Sequence, residues 1–233
     1  MMGSPVVAER KFVASASQAT FTREWLSHFC LPDPEFPYGR ISNIYFDTPT
    51  LDAYFEKSNG DFLKTKIRLR WYDNAESKDG KTQAFLEMKF KIGGGRQKAR
   101  TQVSLDSQWL RTAELQDEAF STLLAEQMQN LGEPLSANLV PTFRLYYERR
   151  RFICPVSLAS VCLDTAIGYD RVNTNLFASV APGHLDYAIL EIKDAENSAE
   201  TPWLEEIHRA GFINQNFSKY GQCIAALVRR RSV

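Results

Sequence analysis

In the stretch K-T-K-I-R-L-R-W-Y, Lys64, Lys66, Arg68 and Arg70 alternate with Thr65, Ile67, Leu69 and Trp71. A period of two belongs to a β-strand, so the four cations share one face and the apolar residues the other. Same-face neighbours on a strand stand roughly 7 Å apart, near enough to repel one another unless an anion lies between them. A single strand of this kind reads as a solvated outer face. The pattern recurs, however. Phe85, Glu87, Lys89 and Lys91 share one face of the next strand, and Leu86, Met88, Phe90 and Ile92 the other. After Gly93-Gly94-Gly95, a flexible hairpin, Arg96, Lys98 and Arg100 again fall on one side.

The rest of the chain reads as mixed helix and strand. Strands are expected over 8–14, 42–47, 64–72, 82–92, 96–105, 138–153, 158–171 and 185–194. Helices are expected over 17–30 with Ser17 as cap, 51–57, 106–131 in two pieces, 202–209 and 218–230. Pro32, Pro34 and Pro37 mark an extended loop, and residues 74–81, after the basic strand, read as turn. No linker, repeat or low-complexity segment divides the 233 residues, so one α+β domain over 1–233 is expected.

The amphipathic helices need an apolar surface, and the strands offer one on the face opposite their charges. Helices packed outside a curved antiparallel sheet leave the charged face concave. About eight strands can close, or nearly close, into a barrel with room for one ligand. Lys11, Lys66, Arg68, Arg70, Lys89, Lys98, Arg144 and Lys193 would line that tunnel. Cations so placed require an anion, water or interleaved carboxylates. Glu9, Glu87, Glu148 and Glu191 are the matching acids. They either brace the bases through ion pairs or hold a divalent metal against a phosphate chain.

Eight short motifs, in order, carry a resemblance to a known family. They are E-R-K at Glu9 to Lys11, K-I-R-L-R-W-Y at Lys66 to Tyr72, E-M-K at Glu87 to Lys89, and K-A-R at Lys98 to Arg100. R-L-Y-Y-E-R at Arg144 to Arg149, L-D-T at Leu163 to Thr165, E-I-K at Glu191 to Lys193, and S-K-Y at Ser218 to Tyr220 follow. Together they resemble the VTC domain, the polyphosphate polymerase module of the vacuolar transporter chaperone complex, within the triphosphate tunnel metalloenzyme or CYTH-like superfamily. The resemblance implies a tunnel barrel and a metal-dependent enzyme acting on ATP, tripolyphosphate or polyphosphate, either as polymerase or as triphosphatase. It implies Arg68, Arg70, Lys89, Arg144 and Lys219 as catalytic phosphate ligands. Lys11, Lys66, Lys98, Arg100 and Lys193 would be further phosphate contacts, with Glu191 and Glu9 on Mn²⁺ or Mg²⁺. The chain departs from the pattern at Val7, at Ser104, and at Ala159-Ser160-Val161-Cys162, where a base is expected before L-D-T. A non-catalytic polyphosphate or phosphate-ester binding domain is the alternative, favoured by that missing base.

Composition narrows the rest. Lys plus Arg and Asp plus Glu both number 28, so no global field draws in nucleic acid or anionic membrane. Neither a P-loop pattern nor H-E-x-x-H occurs. His28, His184 and His208 sit in no recognisable nucleophile context. The four cysteines form no C-x-x-C pair and read as reduced thiols. With no signal peptide and no spanning segment, a soluble cytoplasmic protein is expected, with a membrane protein as one conceivable partner.

Overall fold

The computed structural model describes residues 9–59, 63–76, 79–92, 95–132, 138–177, 181–194, 201–210 and 212–229. In chain order the strands are β1 (Glu9–Ser15), β2 (Leu31–Pro32), β3 (Tyr38–Asp47), β4 (Leu63–Glu76), β5 (Lys81–Ile92) and β6 (Gly95–Asp106). They continue as β7 (Val140–Ile153), β8 (Ser160–Val172), β9 (Gly183–His184), β10 (Tyr187–Lys193) and β11 (Ile213–Asn214). The helices are α1 (Ala19–Phe29), α2 (Asp52–Asn59), α3 (Ser107–Thr112), α4 (Glu118–Asn130), α5 (Leu204–Arg209) and α6 (Lys219–Arg229). The fold class is therefore α+β, as expected.

The strand order is β11-β1-β10-β8-β7-β3-β4-β5-β6, with β2 beside β7 and β9 beside β8. The antiparallel sheet is as expected, but the closed or nearly closed barrel of eight strands is corrected in closure and strand number. Eleven strands form an open order, and its ends, β11 and β6, do not pair among the described residues. Closure needs a continuous ladder, and β11 supplies only Ile213 and Asn214, which pair with Val13 and Phe12. Two further differences are local. β4 runs on to Glu76 through a register shift after Trp71, where a turn was expected. The first helix starts with a 3-10 turn, Ala16–Gln18, whose Gln18 accepts the Ser15 N–H at 3.0 Å, so Ser15 rather than Ser17 marks its start.

The residues form two compact units. The first comprises residues up to Arg40, Tyr147–Ile167 and His184–Ser218. Its core sets Phe12, Val161, Leu163, Leu190 and Ile192, from one face of β1, β8 and β10, against Leu26, Trp203, Ile207 and Phe212. Trp25 meets Trp203 edge-on, 5.5 Å between ring centres.

The second unit comprises Ile41–Tyr146, Gly168–Gly183 and the segment from Lys219 onward. Ile44 and Phe46 of β3, Ile67, Leu69 and Trp71 of β4, and Leu86 and Met88 of β5 form its apolar face. Leu110, Phe120, Leu124 and Met128 of α3 and α4 cover it. Asp106 and Asp117 cap α3 and α4 by accepting the Trp109 and Ala119 N–H groups. At the other end of α3, Arg171 donates to the carbonyls of Leu110 and Ala113, 2.6 Å each. Gly168 is required where it stands, because a Cβ there would meet the Tyr146 hydroxyl at 2.7 Å. No helix among the described residues is long and apolar enough to cross a membrane.

Candidate functional site

In the second unit, the alternation in β4 puts Ile67, Leu69 and Trp71 into the core and leaves Lys66, Arg68 and Arg70 half-buried on the opposite face. Antiparallel register then sets the cations of three strands in rows. Lys66, Lys89 and Lys98 stand side by side, and one row along stand Arg68, Glu87 and Arg100. Lys64, Lys91 and Arg96 continue the register as backbone positions, their side chains lying outside the description.

Glu87 is the hub of this face. Arg68 grips it through Nε at 2.9 Å and Nη2 at 2.7 Å. Arg70 approaches to 3.5 Å and Arg100 to 3.9 Å. Burial alone would push the Glu87 carboxyl up, but Arg68, Arg70 and Lys89 outweigh it and hold it below the usual range. Polar neighbours on β3 aim the guanidiniums: Arg68 Nη1 donates to the Tyr45 hydroxyl at 3.2 Å, and Arg70 Nε to Asn43 Oδ1 at 3.1 Å. Arg100 lies 3.7 Å over the Phe85 ring.

The first unit carries a charged face of different character. Lys11 stands opposite Glu191, and Glu9 opposite Lys193, so β1 and β10 form a checkerboard of alternating sign. Lys193 Nζ lies 2.9 Å from Glu191, Lys11 3.9 Å and Arg149 4.0 Å, while Lys11 also pairs with Glu9. Arg149 makes a bidentate pair with the fully buried Asp164, at 2.6 and 2.7 Å. Burial pushes the Glu191 carboxyl up, yet Lys193, Arg149 and Lys11 together hold it well below the usual carboxylate range. Glu9 is also lowered: burial and the Glu191 charge raise it, and Lys11 and Lys193 overcome both. Three carboxylates thus interleave with three cations, whereas on β4–β6 Arg68, Arg70 and Arg100 converge on Glu87.

The remaining expected residues lie elsewhere in the second unit. Arg144 makes a bidentate pair with Asp170. It alternates with the buried Phe143 and Leu145 of β7, and the Phe143 ring is the one that stacks on Tyr45, the partner of Arg68. Arg144 and Arg68 are therefore not brought together. Lys219 opens α6, half-buried, beside Tyr220, whose hydroxyl donates to Asp47 at 2.5 Å.

Glu9 and Glu191 both pair with Lys11. Among the described residues no group of three or more His, Cys, Asp or Glu gathers. A hard divalent ion commonly takes one or two carboxylates and completes its shell with phosphate oxygens and water, and the pair fits that role.

A sequence model of the VTC domain matches residues 6–228. The chain belongs to the VTC domain family. No curated protein matches the sequence significantly. A Bacillus halodurans protein, provisionally named an adenylate cyclase, superposes with a TM-score of 0.52 at 16% identity, covering 93% of this chain and 96% of that one. At that identity it shows the fold alone. A conserved hypothetical protein from Pyrococcus furiosus gives a TM-score of 0.45 at 9% identity, over 92% of this chain and 98% of its own.

In this VTC domain the positions that depart from the family pattern have definite neighbours. Ser160 stands opposite Lys193 and Ser104 opposite Gln83, while Val7 lies outside the described residues. The residue that sequence reasoning missed is Arg149. It shares its parity on β7 with Phe143, Leu145 and Tyr147, an apolar run that conceals a buried cation. The available signal was its place at the end of R-L-Y-Y-E-R, fourteen residues before the start of L-D-T.

Proposed function

We propose that this VTC domain binds a tri- or polyphosphate chain on the basic face of β4–β6. With Mn²⁺ or Mg²⁺ it would transfer phosphate from ATP to polyphosphate or hydrolyse a triphosphate. The observation that carries this reading is the register of Lys66, Lys89 and Lys98 beside Arg68, Glu87 and Arg100. Rows lie roughly 7 Å apart along the strands, and positions within a row about 4.8 Å apart. Such a grid suits an extended polyanion better than a single phosphate. Arg68, Arg70 and Arg100 offer planar donor pairs and the lysines point charges. Glu87 keeps the guanidiniums oriented and lessens their mutual repulsion.

Phosphoryl transfer needs the charge of the transferred group neutralised and the attacking and leaving oxygens held in line. On this reading Arg68, Arg70 and the lysine row hold the phosphates, with Lys219 of the same unit as a further contact. In the first unit Glu9 and Glu191 would hold a divalent ion, with Lys11 and Lys193 contacting a phosphate bound beside it. A second reading, binding without turnover, is favoured by the enclosure of Glu191 by Lys193, Arg149 and Lys11.

Calorimetry with tripolyphosphate and orthophosphate tests the binding step. Tighter binding of tripolyphosphate, weakened by salt, is expected. Equal affinity for both would refute a face built for chains. Incubation with ATP and Mn²⁺, followed by a gel for polyphosphate and a free-phosphate assay, then separates turnover from binding alone.

A further inference from the structure

Two of the four buried free cysteines, Cys30 and Cys154, flank the same short ladder. In it Leu31 pairs with Ile153 and Pro32 with Phe152, antiparallel, so extending the register by one residue sets Cys30 opposite Cys154. Their backbone groups bond elsewhere. The Cys30 N–H goes to Leu26, the Cys154 N–H to Ala159, and the Cys154 carbonyl accepts from Leu158. The two residues therefore face each other as a non-hydrogen-bonded pair, the kind in which side chains approach most closely. The Cα separation of such a pair, about 4.5 Å, lies within the range a disulfide spans. Both side chains belong to one apolar cluster, 4% and 1% exposed.

We propose that Cys30 and Cys154 form a thiol–disulfide exchange site, which takes a low-molecular-weight disulfide as oxidant and closes to an intramolecular disulfide. Their surroundings divide the roles. Burial, with Cys154 adding to it, pushes the Cys30 thiol up to about 12. At Cys154 burial acts in the same direction but is outweighed by the Ser157 hydroxyl and the Ser157 and Val156 N–H groups, so this thiol is lowered. Cys154 is thus the attacking sulfur. Its thiolate displaces one thiolate from the oxidant and forms a mixed disulfide. Cys30 then gives up its proton and attacks the Cys154 sulfur, releasing the second thiolate. Two protein thiols and one small disulfide become one protein disulfide and two small thiols. Val156, at the exposed turn that follows Cys154, marks where local opening admits the oxidant.

The test treats the whole protein with oxidised glutathione, traps free thiols with an alkylating agent in denaturant, and maps peptides without reduction. Free thiols should fall from four to two, with a Cys30–Cys154 linked peptide. The oxidised protein should melt higher, reversed by dithiothreitol, because the bond ties together distant parts of the chain. Cys30→Ser should stop at a glutathione adduct on Cys154, and Cys223→Ser should still form the bond. Four thiols remaining free, or loss at Cys162 or Cys223 instead, overturns the proposal. So do disulfide-linked dimers in place of the intramolecular bond. The map of the unmodified protein decides the question even if a variant fails to fold.

Discussion

Glu191 shows how a single residue's environment sets its role. A carboxylate so nearly buried is unfavourable alone, and Lys193, Arg149 and Lys11 make it the stable form. Because its folded pKa is depressed, its contribution is full above the unfolded value of about 4.3 and fades as pH falls toward the folded value. Glu191→Gln keeps the volume and removes the charge. The variant should lose on the order of 3 kcal/mol at neutral pH, the cost of leaving buried cations short of a partner. Its remaining stability should depend less on pH below about 4 than that of the parent. Chemical denaturation across an acid series measures both. A Gln variant as stable as the parent at neutral pH would mean that the three cations are compensated without this carboxylate. If Glu191 also holds the ion, turnover with Mn²⁺ should fall about 100-fold in the same variant, and a metal titration would report it.

At the scale of elements, β4–β6 set a binding requirement against a folding one. Lys66, Lys89 and Lys98 are directly adjacent in register, and like charges placed so destabilise a sheet. Replacing the middle member, Lys89→Gln, should leave the melting temperature unchanged or raise it. Tripolyphosphate affinity should fall about tenfold, as expected for a lost charged hydrogen bond. Scanning calorimetry and titration on one preparation read both quantities. A fall in stability with unchanged affinity would make Lys89 a structural residue and remove this row from the binding face. The same strands show what alternation conveys. Ile67, Leu69, Trp71, Leu86 and Met88 lie in the core, as their period of two requires, and Arg68, Arg70 and Glu87 share the other face.

For the whole molecule, long-range pairs tie down elements that local patterns leave unplaced. Asp47 ends β3, accepts N–H bonds from Thr48 next to it and from Ala53 and Tyr54 at the start of α2, and receives the Tyr220 hydroxyl from α6 across 173 positions of sequence. Burial pushes the Asp47 carboxyl up despite these bonds, and burial beside Asp47 raises the Tyr220 phenol far above its ordinary value. The Phe143 ring stacks on Tyr220 at 5.5 Å, so Tyr220→Phe preserves the aromatic packing and removes one bond. The variant should lose about 2 kcal/mol, the worth of a hydrogen bond to a charged group. A thermal melt at neutral pH checks it, and an unchanged melting temperature would show that water replaces the hydroxyl at Asp47.

Local regularity made much of this protein legible in its sequence. Strand and helix periods and the charge pattern along each strand are properties of a few consecutive residues, and a linear reading finds them. Eight short motifs in order also identified the family. Partnership is a different kind of property. Which carboxylate meets which guanidinium depends on the register between separate strands. So Glu87 at the hub of β4–β6, Asp164 beneath Arg149 and Asp170 beside Arg144 emerged only from the fold. Parity can also mislead. Arg149 follows the apolar alternation of β7, and Ala166, at φ 48°, adopts a left-handed conformation within β8 that no local pattern announces. The open strand order has the same origin, since closure rests on pairing between the two ends of the sheet, and no residue encodes that alone.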